Sequence, residues 1–134
     1  MLRKIDHIAV TVKSVEEAAK FWAEQLGLPA GPIENLPDRG VRVAFFKIGE
    51  VKIELVQPTE DNGIMKSLNE KGPGLHHIAI ETDNVDAELN RLAGLDVRLV
   101  DKSGKPGAHD TKVGFIHPKA AGGVLVELVE QGKH

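Results

Sequence analysis

Asp6-His7-Ile8-Ala9-Val10 and His76-His77-Ile78-Ala79-Ile80 are near copies, and they stand 70 residues apart in a chain of 134. Each alternates as a half-buried strand does, with Ile8, Val10 and Val12 on one face and His7, Ala9 and Thr11 on the other. In the second copy Ile78 and Ile80 share one face, while His77 and Ala79 share the other. The likeness runs on through Ser14-Val15 and Asn84-Val85. It returns in Lys52-Ile53-Glu54-Leu55-Val56-Gln57 and Leu125-Val126-Glu127-Leu128-Val129-Glu130, at an offset of 73. A half-chain of this size is too small for a comfortable core of its own, so the halves are expected to pack as one domain over 1–134. Module 1 covers about 1–67 and module 2 about 72–134.

Each copy carries the same plan. A strand over residues 4–12 leads to Ser14, whose capping box with Glu17 opens a helix. Val15, Ala18, Ala19, Trp22 and Leu26 fall on one face of that helix, and Gly27 closes it. A proline- and glycine-rich loop, Pro29 to Gly40, precedes a hairpin of Val41–Gly49 and Val51–Gln57. In the second half, strand 75–82 leads to Asn84 as N-cap, then to Val85, Leu89 and Leu92 on a helix closed by Gly94. Strands are expected near Val97–Asp101, Lys112–His117 and Val124–Glu130. The fold class is α+β: two paired βαβββ modules forming a curved mixed sheet around a metal-binding cleft, with the helices outside.

The alternation also sorts the ligands. Glu54 points away from Ile53 and Leu55, and Glu127 away from Val126 and Leu128, so four strands each direct one donor away from the helix-packed face. Ala9 and Ala79 leave space beside the histidines. A lone strand histidine is usually structural, and a lone strand glutamate usually faces water. Two His-Glu pairs at matching places in two repeats point instead to one divalent first-row metal held by His7, Glu54, His77 and Glu127. The chain has no cysteine, which excludes disulfides, zinc-thiolate sites and thiol nucleophiles. A net charge of −3 argues against general nucleic-acid binding. No signal peptide and no run of 18 apolar residues is present, so a cytoplasmic protein with no membrane partner is expected. His76 must face the opposite side from His77, and His117-Pro118-Lys119 closes a strand. The loop Gly104–His109 offers His109, and Lys112 beyond it, as contacts for a substrate anion.

These segments resemble the vicinal oxygen chelate (glyoxalase/dioxygenase) superfamily over the whole chain, and within it the methylmalonyl-CoA epimerases. The likeness rests on Ile5 to Val10, Ile53-Glu54-Leu55 with Pro58, Gly74 to Ala79, and Pro106-Gly107-Ala108-His109. It continues in Phe115-Ile116-His117-Pro118-Lys119, which leads to Gly123 to Leu128. Glyoxalase I usually reads Asp-Pro-Asp-Gly where this chain has His-Pro-Lys. The resemblance implies an isomerase that epimerises (R)- and (S)-methylmalonyl-CoA by α-proton abstraction through a metal-stabilised enolate. It places the metal ligands on His7, Glu54, His77 and Glu127, with Glu127 and Glu54 as the catalytic acid-base groups. It implies a divalent cofactor, cobalt first, then manganese, nickel or zinc. It also implies a CoA thioester substrate, with Lys112 and Lys119 as candidates for the CoA phosphates, and a homodimer. Some epimerases carry a further glutamate where this chain has Val43. The alternatives are a lactoylglutathione lyase on the same ligand set and a non-enzymatic drug-binding resistance protein. Five aromatic residues, four Phe and one Trp, argue against the latter.

Overall fold

The computed structural model describes residues 1–132, and the last two positions of module 2 lie outside it. The strand–helix–three-strand order occurs twice. The first copy is β1 (Leu2–Thr11), α1 (Val15–Ala19), β2 (Glu34–Leu36), β3 (Val41–Ile48) and β4 (Val51–Pro58). After α2 (Gly63–Lys71), the second is β5 (Gly74–Thr82), α3 (Val85–Gly94), β6 (Lys105–Pro106), β7 (Lys112–Ile116) and β8 (Leu125–Glu130). The chain divides into two compact units, His7–His76 and Met1–Asp6 with His77 onward. Strands run β2-β3-β4-β1 in the first unit and β5-β8-β7-β6 in the second. In each, the first strand of the module lies parallel to the last, and the other neighbours are antiparallel. Both units are mixed sheet with helix, as α+β requires. Among the described residues no helix is long and apolar enough to cross a membrane.

In the first unit Val12, Val15, Ala44, Phe46, Ile53 and Leu55 form the core under α1, joined by Ile8, Val10, Ala18, Ala19 and Trp22. The expected helix continues past Ala19 as a π-helix over Lys20–Gln25, in which the Leu26 amide donates to the Phe21 carbonyl at 2.9 Å. The wider turn rotates later residues off the 3.6-residue stripe. Leu26 is therefore exposed, and Ala23 and Leu28 pack in its place. In the second unit Val85, Leu89 and Leu128 are buried together with Ile80, Leu92 and Ile116 alongside. Gly94 is the last residue of α3, and the left-handed position comes later, at Asp96 (φ 60°).

Three further expectations change. The loop Pro29–Gly40 contains a short strand, β2, paired with β3. Val97–Asp101 forms one bridge, Leu99 to Ile116, and no strand. The amides of Val100 and Asp101 both donate to the Phe115 carbonyl, and the Asp101 carboxylate accepts from the Phe115 amide at 2.8 Å, which is a local knot and not a ladder. Finally, α2 joins the modules. Asn62 caps it by accepting from the Met65 amide, and its Ile64 packs with Leu36 beside Ala9, Val41, Val43 and Val56. That sheet face, expected to be open, is thus partly covered within the first unit.

The repeat extends to the helix starts. The Val15 amide donates to the Gln57 side chain, and the Val85 amide to the Glu130 carboxylate, each at 2.9 Å. Arg42 pairs with Glu16, and Lys112 pairs with Asp86 at 3.0 Å. In both units a cation on the third strand clamps the acid at the second position of the helix. The clamp acids respond accordingly. Arg42 holds the Glu16 carboxyl below its ordinary value, and the Gly104 amide and Lys112 hold Asp86 below 3.8. A lowered folded pKa contributes stability that is present above the unfolded value and lost as pH falls through the folded one. Thermal melts of an Asp86→Asn variant should therefore fall below those of the parent above about pH 4 and converge with them as the pH drops through the folded value of Asp86.

Gly114 on β7 lies tight against α3. A Cβ there would lie 2.8 Å from a Leu89 methyl carbon and 3.3 Å from one of Val85. Overpacking of this kind costs about 1–3 kcal/mol. Urea denaturation of Gly114→Ala should show a loss in that range with an unchanged slope.

Candidate metal centre

In the unit His7–His76, His7 stands on β1 and Glu54 on the neighbouring parallel β4. The register sets Ala9 against Glu54, two residues along from His7. The missing bulk at Ala9 lets the carboxylate lean towards the imidazole, and Nε2 of His7 lies 3.4 Å from Oε1 of Glu54. Both side chains are almost buried, at 12% and 13% exposure.

The other unit repeats this. His77 stands on β5, Ala79 faces Glu127 on β8, and His77 Nε2 lies 3.2 Å from Glu127 Oε1. These side chains are 9% and 7% exposed. Burying a carboxylate is costly unless a donor or cation meets it. Each unit therefore presents an imidazole nitrogen and a carboxylate oxygen to one another, shielded from water. The same two atoms are the donor types that a divalent first-row metal prefers, so the residues fit such an ion.

A third element was not recognised from the sequence. Phe45 on β3 lies in register with Glu54, and its ring is perpendicular to that of His7 (87°, centroids 6.4 Å apart). Phe115 on β7 lies in register with Glu127, perpendicular to His77 (86°, 5.5 Å). The signal was available, since Phe45 and Phe115 stand 70 residues apart, as the two histidines do.

The expected substrate contacts are placed differently. On β7, Val113 and Phe115 point towards the His77 face, so Lys112 belongs to the opposite, helix-covered face, where Asp86 takes its ammonium. There it ties β7 to α3. His109 is exposed in a loop at φ 56°, and Lys119 is exposed on the 3-10 turn Pro118–Ala121. His117 caps that turn, its Nδ1 accepting from the Lys119 amide at 3.1 Å. Partial burial, with Arg98 and Lys119 nearby, lowers its pKa, which suits a neutral acceptor. A cavity of about 370 Å³ lies beside β6 and β7, lined by Lys105, Asp110, Thr111, Lys112 and Glu130, and contains neither His77 nor Glu127.

Comparison with known proteins agrees with this arrangement. Residues 6–115 match the model of the Glyoxalase/Bleomycin resistance protein/Dioxygenase superfamily. The chain is 40% identical to the mitochondrial methylmalonyl-CoA epimerase of Mus musculus, over 95% of this chain and 72% of that protein. It is 37% identical to the ethylmalonyl-CoA/methylmalonyl-CoA epimerase of Cereibacter sphaeroides, over 96% of this chain and 98% of the other. Among solved structures, a variant of Streptomyces coelicolor methylmalonyl-CoA epimerase in complex with 2-nitronate-propionyl-CoA superposes with a TM-score of 0.92. It is 31% identical, and the match covers 99% of this chain and all of that one.

Proposed function

The chain belongs to the Glyoxalase/Bleomycin resistance protein/Dioxygenase superfamily, and we propose that it is a metal-dependent enzyme that epimerises methylmalonyl-CoA. The observation that carries this reading is the His-Glu pair, built twice with the same register on a small-residue neighbour. His7, Glu54, His77 and Glu127 would hold one divalent ion, cobalt first among the candidates. The two modules then act as one domain. Bound there, such an ion supplies Lewis-acid stabilisation of negative charge on the substrate's carbonyl oxygens.

The chain's own residues carry the proton. Glu127 takes the α-proton, and the C–H electron pair delocalises into the thioester carbonyl. The carbon becomes planar and regains a proton on its other face, from Glu54 in this reading. A carboxyl group about ten pKa units more acidic than the carbon acid leaves a gap of about 14 kcal/mol, so the base alone does not suffice. Burial of both pairs supports the reading, because nearby charge acts at low dielectric there. Val43 is buried on β3 at 1% exposure and offers no carboxylate, so this reading gives the acid-base work to Glu127 and Glu54. His109, Lys112 and Lys119, all exposed, are the candidates for contacts with the CoA moiety. A cytoplasmic homodimer belongs to the same reading, and sedimentation will report the oligomer.

The test is incubation with methylmalonyl-CoA in deuterated water. Deuterium should enter the α-carbon only when protein and a divalent metal are both present. No uptake with a metal-loaded protein would overturn the assignment.

A further inference from the structure

Strand histidines have a broad second torsion, so the alternation of β1 and β5 does not by itself aim Nε2 anywhere. A ligand histidine is commonly oriented by what packs or hydrogen-bonds around it. In both units the same device stands at the imidazole. Across three neighbouring strands, one sheet face reads histidine, glutamate, phenylalanine. The phenyl ring lies perpendicular to the imidazole, a favoured geometry for two aromatic rings.

An ammonium lies over each ring: Lys52 Nζ is 5.6 Å from the centre of Phe45, and Lys105 Nζ is 5.4 Å from that of Phe115. The two lysines are not repeat equivalents. Lys52 is on β4 opposite His7, whereas the residue opposite His77 is Leu125 and the second cation arrives from β6. Two different sequence positions thus seat a cation on equivalent rings, where the ring's electron-rich face attracts it.

We infer that Phe45 and Phe115 are positioning residues: each fixes the plane of its histidine so that Nε2 faces the partner glutamate, with Lys52 and Lys105 holding the phenyl rings in place. The functional meaning of this rests on the metal reading above. The geometry is tightest around His77, so the test begins there. Side-chain coupling constants and ring-proton shifts of His77 are measured by NMR in metal-free protein, and cobalt(II) affinity by titration, for the parent, Phe115→Leu and Val113→Ala. Val113 is the control, buried at 3% on the same strand and face.

The expected result is a single His77 rotamer in the parent and in Val113→Ala, averaged couplings in Phe115→Leu, and cobalt binding weaker by about 10- to 100-fold in Phe115→Leu alone. A single His77 rotamer in Phe115→Leu would overturn the inference, as would equal losses in Val113→Ala. Should the parent bind no cobalt, the metal reading fails, and the couplings alone decide the positioning. Phe45→Leu applies the same test to His7 if Phe115→Leu does not fold.

Discussion

Glu127→Gln should cut α-proton exchange by about 10²- to 10⁴-fold, the usual worth of a positioned general base. Glutamine keeps the shape of the side chain and an oxygen near His77 Nε2, now 3.2 Å from the carboxylate, but it cannot accept the α-proton. The measurement is deuterium wash-in at the α-carbon, with metal content determined on the same sample. Retained exchange with metal bound would move the base role elsewhere, and Glu54→Gln is the comparison that would locate it. The variant should also fold, because an amide in place of a 7% exposed carboxylate removes a buried charge and leaves a hydrogen-bonding group.

Removal of the metal should have an effect at least as large. Dialysis against a chelator is expected to lower epimerisation by about 10³-fold or more, since charge stabilisation of this type is commonly the largest single contribution to such a reaction. Adding cobalt or manganese should restore it. His77→Ala should prevent restoration, because it deletes one nitrogen ligand and leaves the buried Glu127 carboxylate without its imidazole neighbour. Leaving a buried group so costs about 1–3 kcal/mol, which denaturant unfolding will read separately. A chelated protein with full activity, and no metal by elemental analysis, would refute the metal requirement.

Much of this was legible in the linear order. The 70-residue repeat predicted the two modules, and the alternation placed His7, His77, Glu54 and Glu127 on the faces away from the helices. The helix starts at Ser14 and Asn84 follow from local chemistry, since each side chain accepts from an amide three residues on. What escaped was of another kind. Leu26 left its stripe because a π turn changes the period, and no residue type announces that. Val97–Asp101 has strand composition, but the Val97 amide turns back to the Leu92 carbonyl and those of Val100 and Asp101 share the Phe115 carbonyl. The pairing of Lys112 with Asp86 joins residues 26 positions apart, which no local window of the sequence displays.

The sequence by itself determined which residues share a strand face, where helices begin, and that the chemistry must use histidine and carboxylate. Each of these depends on neighbours a few positions apart. The tertiary structure alone decided that β1 lies beside β4 and β5 beside β8, in registers that bring each histidine to its own glutamate. It also decided that a phenylalanine from a third strand packs against each imidazole. Strand partners and register are settled by how a whole face buries its apolar side chains, a property of the packed sheet and not of any window of the chain.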